Sequence, residues 1–301
     1  MNMGTCNYLV LGANGMAGHT IVLYLARKGH RVTTFSRRKF LLCEANVVGD
    51  VHDLTTLRNV VAGGEFDTIV NCIGVLNDAA EVDKAEAVFV NTYLPHYLSS
   101  ICAGLKSRVI HLSTDCVFSG YLGPYTESAS TDGLSFYARS KALGEIVNGR
   151  DLTFRTSIIG PDLRPAGIGL FNWFMQQDGP LSGYANVIWN GVTTLTLAKA
   201  IEMADKDKLT GLYHLVNNAT ISKHDLLALF NTYFRERRVV IEKRASPTSN
   251  KSLIDTRSDF NFDVPSFEEM IVELRAWLCD LAHLYPHYCR DEKSGSSQLV
   301  Q

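Results

Sequence analysis

Four apolar residues, Tyr8-Leu9-Val10-Leu11, run directly into Gly12-Ala13-Asn14-Gly15-Met16-Ala17-Gly18. No other stretch of the chain constrains the fold as much. A helical pattern follows, with Ile21, Val22 and Leu25 on its apolar face. In that order, Gly12 permits a tight turn at the strand end and Gly15 lets the backbone approach a pyrophosphate. Gly18 lets the helix pack closely on the sheet. The helix N-terminus then offers free amides and a partial positive charge to the phosphates. A plain glycine-rich turn is the bland alternative; the strand before and the helix after favour dinucleotide binding.

The first half continues the alternation. Arg31-Phe35, Thr68-Cys72 and Val109-Leu112 read as strands, and Ala17-Lys28, Leu54-Val61 and Ala85-Ala103 as helices. Such alternation predicts an α/β fold, a doubly wound parallel sheet of the Rossmann type, with ligands beyond the carboxyl ends of its strands. Arg139-Asn148 reads as a further helix and Leu152-Ile158 as a strand. The rhythm then breaks: residues 160–191 are rich in Gly, Pro and aromatics, without a clean period. Helical stretches at Leu195-Met203 and His224-Tyr233 flank a strand at Gly211-Val216, and Phe267-Leu281 is strongly amphipathic. The expected division is a cofactor domain over residues 1–159, with the strand near 211–216 returning to its sheet. A smaller C-terminal substrate lobe takes 160–210 and 217–301, with a frayed end from Lys293.

Composition narrows the class. The 301 residues carry a net charge of −2, so no basic excess points to nucleic acid. No run approaches a membrane span, and Met1-Asn7 lacks a leader pattern, so a cytoplasmic enzyme is expected. The seven cysteines have no regular spacing and read as reduced thiols. Cys279, His283, His287 and Cys289 do not match a zinc-knuckle spacing, so no metal is expected.

After the second strand comes Ser36-Arg37-Arg38-Lys39. An NAD site usually places a carboxylate here for the ribose 2′-hydroxyl. A hydroxyl followed by guanidinium groups suits a 2′-phosphate instead, which favours NADPH with NADH as the weaker alternative. Asp50 and Val51, after the third strand, flank the adenine in this reading. The segment Asn71 to Gly74, with Cys72, Ile73 and Gly74, lines the cofactor cleft, and Asn14, Met16 and Asn91 complete the cofactor set.

The strand Val109-Leu112 ends in Ser113-Thr114-Asp115, and Tyr137-Ala138-Arg139-Ser140-Lys141 begins a helix. Tyr and Lys four apart share one face. An ammonium near a phenol favours the phenolate and lowers the phenol's pKa, so Tyr137 is expected to give a proton to a nascent alkoxide. Thr114 supplies a hydroxyl to hold the substrate oxygen. A Tyr–Lys pair alone is more often a surface pair; the reading rests on the order of all the features together.

These residues resemble the extended short-chain dehydrogenase/reductase superfamily, and within it the dTDP-4-dehydrorhamnose reductase branch. The resemblance is carried by Gly12–Gly18, Ser113-Thr114-Asp115-Cys116-Val117-Phe118-Ser119-Gly120, Tyr125-Thr126-Glu127, Tyr137–Glu145 and Arg155-Thr156-Ser157. It implies a catalytic triad of Thr114, Tyr137 and Lys141, with Lys141 also holding the nicotinamide ribose. It implies reduction of the 4-keto group of a nucleotide-linked deoxysugar in carbohydrate biosynthesis. The branch commonly has an aromatic after the Asp, where this chain has Cys116. Dehydratases of the superfamily carry Asp-Glu after the Thr, so dehydration is disfavoured.

The substrate set expected from sequence is Val75, Asp115, Cys116, Asn172, Trp173, Trp189 and Asn190. Phe171, Trp173 and Phe174 read equally well as lobe core. Arg155 and Arg164 suit either a diphosphate or structural ion pairs; His214 and His224 read as structural. Two alternatives stay open: a sugar-nucleotide epimerase or epimerase–reductase with the same relay, and a noncatalytic cofactor-binding regulatory subunit. The oligomeric state, including a homodimer, also stays open.

Overall fold

A computed structural model describes residues 4–288. Seven parallel strands form the main sheet: β1 (Asn7–Leu11), β2 (Arg31–Ser36), β3 (Ala45–Val48), β4 (Thr68–Asn71), β5 (Arg108–Thr114), β6 (Leu152–Thr156) and an edge strand, Gly211–His214. Their spatial order is edge strand, β6, β5, β4, β1, β2, β3. β1 pairs with both β2 and β4, so the winding reverses beside it. That reversal opens a crevice at the carboxyl ends of β1 and β4, where doubly wound sheets bind ligands.

Both faces of β1 are apolar, as a doubly covered parallel sheet requires. Tyr8 and Val10 pack with Ile21, Leu25, Leu197 and Ile201 on one face. Leu9 and Leu11 pack with Leu57, Val61, Leu94 and Leu98 on the other. The helix Thr194–Lys206, allotted to the lobe by the sequence reading, therefore packs on the sheet beside the first helix, Met16–Arg27. Its Asp205 carboxylate accepts from the hydroxyls of Tyr8 and Thr68. A separate core of Phe171, Phe174, Trp189, Leu226, Phe230 and Leu274 holds the remainder of the C-terminal half together.

Three elements differ from the sequence reading. The predicted helix over 85–103 is interrupted by a widened π-helical stretch, Val88–Tyr93, between Lys84–Ala87 and Leu94–Ile101. The bulge brings Asn91 into the interior and Thr92 onto the carbonyl of Ser140. The helix predicted at 139–148 runs instead from Phe136 to Leu143, because Ser135 caps it by accepting from the Ala138 amide. The irregular stretch 160–191 contains a short helix, Leu170–Met175, and strands Leu181–Tyr184 and Val187–Trp189, too short for a period to emerge.

The six described cysteines are free. Among the described residues no group of three or more metal-ligating side chains is assembled, and no helix is long and apolar enough to cross a membrane. Cys289 and the tail from Lys293 lie outside the described residues.

The glycine turn is closed by close contact. Gly12 adopts φ +82°, and a Cβ on Gly18 would lie 2.2 Å from the Gly12 carbonyl oxygen. The obstacle is backbone, so it cannot rotate away. Gly18→Ala is expected to lower the unfolding free energy by about 1–3 kcal/mol, measured by urea denaturation; an unchanged midpoint would contradict this contact.

Candidate active site

The carboxyl ends of β1, β4 and β5 meet at one crevice. On the β1 side, the first helix opens at Gly15 without a side-chain cap, leaving its first-turn amides for an external acceptor. A Cβ at Gly15 would meet only the Gly12 oxygen, at 3.4 Å, so the backbone there stands open. Met16 lies against Gly169, bringing the segment before the helix Leu170–Met175 over the start of the first helix. These features fit a dinucleotide pyrophosphate. The Asn14 amide donates to the Ser36 hydroxyl (3.0 Å) and to the Arg38 carbonyl (2.9 Å), and Ser36 donates to the same carbonyl. Ser36 thus pins the basic loop. The Arg37 and Arg38 side chains are exposed and form no hydrogen bond or ion pair among the described residues, which leaves them available to an anion.

Asp50 is less available than the sequence reading assumed. Its Oδ1 accepts from the backbone and the ring of His52, whose other nitrogen meets Glu86 at 2.8 Å. These hydrogen bonds hold the Asp50 carboxyl below its ordinary range. Val51 beside it is buried. Across the turn, the Cys72 amide donates to the Leu11 carbonyl and the Ile73 amide to Asn71 Oδ1. Asn91 does not face the cleft. Its Oδ1 accepts from the Val75 amide, and its Nδ2 donates to the Val75 carbonyl and the Ser140 hydroxyl. All its hydrogen-bonding capacity goes into fixing the loop of Gly74 and Val75 against the helix Phe136–Leu143.

Thr114 closes β5, and its hydroxyl accepts from the Cys116 amide at 3.1 Å. Tyr137 packs with Val75 and Cys116, so three residues separated in sequence meet. Burial raises the Tyr137 phenol above its ordinary pKa; Cys116 and Asp115 add to this, and a hydrogen bond with Thr114 opposes it. The expectation that the Lys141 ammonium lowers this phenol is therefore not met. Lys141 is committed elsewhere, donating to the Leu112 carbonyl at 2.6 Å and lying 3.3 Å from His111 Nε2. Burial pushes the Lys141 amine down to about 8, partly offset by Glu145. His111, which the sequence reading passed over inside an apolar strand, is kept neutral by burial and by Lys141, and Asn71 meets its Nδ1 at 3.2 Å.

Several expected substrate residues are structural. Arg155 forms a buried bidentate pair with Glu145 (2.7 and 2.6 Å), and Ser113 donates to the same carboxylate. Arg164 pairs with the buried Asp162. Asn172 donates to the carbonyls of Pro165 and Gly167 and accepts from Tyr288. Asn190 fastens Leu253 and Asn217. In each case neighbouring backbone satisfies the amide, so it is not free to read a base edge. Trp189 is a core ring, whereas Trp173 is exposed. Lys223, absent from the sequence reading, places its ammonium 5.1 Å from the Trp189 ring centroid. Burial lowers its amine to about 8, against the charges of Asp115 and Cys116. A lone Lys at a helix start gave no sequence signal.

A sequence profile described as the RmlD substrate binding domain matches residues 6–159, just over half of the chain. The stretch is 34% identical over 143 residues to a dTDP-4-keto-6-deoxy-D-glucose reductase of Streptomyces niveus, covering 47% of this chain and 46% of that protein. It is 31% identical over 143 residues to a dTDP-4-dehydrorhamnose reductase of Mycobacterium tuberculosis, covering 46% and 43%. The matched region thus spans about half the length of the curated relatives. The fold superposes with a TM-score of 0.78 on the dTDP-4-dehydrorhamnose reductase of Bacillus anthracis in complex with NADP, at 18% identity, covering 91% of this chain and 100% of that one. At that identity the likeness establishes the Rossmann-type fold.

Burying Lys141 has a consequence for stability. Its folded pKa of about 8 lies below its ordinary 10.5, so between those values the unfolded chain holds more protons. Stability from this group then rises with pH across that window and is least below it. The unfolding free energy of the wild type minus that of Lys141→Met is expected to increase from pH 8 to 10.5 in denaturant titrations. A flat difference would contradict the burial of this amine.

Proposed function

Because the chain belongs to the RmlD substrate binding domain family, we propose that it is an NADPH-dependent reductase of the 4-keto group of a nucleotide-linked deoxysugar. The observation that carries this reading is the meeting of Thr114, Tyr137, Val75 and Cys116 at the end of β5, beside an uncapped glycine turn at the end of β1. The names of the relatives point to the same reaction class.

NADPH, when bound, supplies a hydride to the carbonyl carbon. The first-turn amides after Gly15 would hold its pyrophosphate, and the exposed Arg37 and Arg38 side chains would pair with its 2′-phosphate. Thr114 and Tyr137 place their hydroxyls at the substrate oxygen. As the C=O π pair moves onto that oxygen, the Tyr137 O–H bond breaks and its proton makes the product hydroxyl. A phenol raised by burial is a weak acid, but an alkoxide is a much stronger base, so the transfer runs toward product. The Tyr137 phenolate left by the transfer takes a proton back from solvent. Asn91 sets the position of Val75 and of the helix that carries Tyr137 and Lys141. An epimerase would use the same relay; exposed guanidinium groups in place of a ribose-binding carboxylate support net reduction by an exchangeable NADPH.

Tyr137→Phe is expected to lower kcat by at least about 100-fold, with NADPH still binding by fluorescence titration. Near-normal turnover would show the relay to be wrongly assigned. Replacing both Arg37 and Arg38 by Ala is expected to weaken NADPH at least about 10-fold more than NADH. Equal losses for the two cofactors would sink the 2′-phosphate role.

A further inference from the structure

The strand Ile221–Ser222 pairs antiparallel with Val187–Trp189, matching Ile221 with Trp189 and Ser222 with Ile188. Ser222 then caps the helix Lys223–Phe234 by accepting from the Asp225 amide, which fixes Lys223 as its first residue. The side chain extends over the Trp189 ring, 5.1 Å from ammonium nitrogen to centroid. Among the described residues this partly buried ammonium makes no hydrogen bond and no ion pair. The Nε1–H of the same Trp189, itself buried, also has no acceptor. A buried indole donor without an acceptor thus lies beneath an ammonium that makes no hydrogen bond. That is costly unless a ligand supplies oxygens. The place borders the reacting centre: Gly191 lies against both the Trp189 ring and the Ser157 carbonyl at the end of β6, whose Thr156 pairs with Thr114, and the charges of Asp115 and Cys116 reach Lys223.

We propose that Lys223 is a substrate-binding residue that donates to a hydroxyl on the sugar carbon flanking the reducible carbonyl. The inference rests on the reductase reading above and names its substrate class more narrowly. A cationic donor within the field of the Asp115 carboxylate suits a neutral hydroxyl, which can accept from it. A carboxylate or phosphate in the same position would be repelled by Asp115. The enzyme therefore selects nucleotide-linked 4-keto sugars that keep the hydroxyl at carbon 3 over their 3-deoxy counterparts. A site built around such a bond discriminates against the ligand lacking it, because the protein donor is then left unpaired.

The test compares both sugars with the wild type, Lys223→Met and Lys223→Gln, following NADPH oxidation and, by calorimetry, binding of each sugar nucleotide. The wild type is expected to prefer the 3-hydroxy sugar by roughly 10- to 100-fold in kcat/KM. Lys223→Met should erase most of that preference through a raised KM, with NADPH affinity unchanged; Lys223→Gln, which keeps a donor, should retain part of it. A wild type without preference, or a Lys223→Met variant that keeps it, overturns the assignment. Should Lys223→Met fail to fold, Lys223→Gln with an undiminished preference overturns it equally. If the wild type neither oxidises NADPH with either sugar nor binds them, the reductase reading itself falls and this assignment with it. Turnover with an unaltered preference in both variants removes only the role of Lys223.

Discussion

The buried contact between the Lys141 amine and the Leu112 carbonyl fastens the helix Phe136–Leu143 to the end of β5. Strand and helix each carry half of the proposed relay, Thr114 on one and Tyr137 on the other. The contact continues through His111 to Asn71 at the end of β4. Asn71 Oδ1 accepts from the Ile73 amide, and its Nδ2 lies 3.2 Å from His111 Nδ1. A second brace runs from Ser140 through Asn91 to Val75. The helix is thus tied to two strand ends by buried polar contacts, an arrangement that rigidifies its surroundings.

Burial also sets the chemistry of the groups it encloses. It holds the phenol of Tyr137 protonated and disfavours charge on both Lys141 and Lys223. Lys223 comes within the field of the Asp115–Cys116 corner from the smaller lobe, whereas Lys141 is bonded within the sheet domain to the Leu112 carbonyl. The buried Arg155–Glu145 pair lies behind this corner and holds Ser113 through the shared carboxylate. Removing one partner of such a pair leaves an uncompensated charge in the interior.

The sheet was legible because its strands are apolar on both faces and the turns between them carry Gly or capping residues. The glycine turn and the shared helix of Tyr137 and Lys141 were legible because their spacing reflects local backbone geometry. What was not legible depends on distant partners. Asn91 reads as a polar residue in a helical run; only the π-helical stretch turns it inward. Asn172 and Asn190 sit among aromatics, and nothing in the sequence shows that Pro165, Gly167 and Leu253 would occupy their amides. The same holds for Lys223, whose position over Trp189 depends on strand pairing across a 34-residue separation that no local pattern encodes. The direction of the Tyr137 shift was misread for a related reason: charge proximity is visible as spacing, and desolvation is not.

The central claim is that a hydride is delivered to a sugar carbonyl carbon while Tyr137 protonates its oxygen. Turnover with NADPH carrying deuterium at the transferable position of the nicotinamide, followed by NMR of the sugar product, tests it most directly. The account predicts one deuterium on the carbon that bore the keto oxygen, for each NADP⁺ formed. A product without deuterium at that carbon, or an altered sugar formed with no net NADPH consumption, would contradict it.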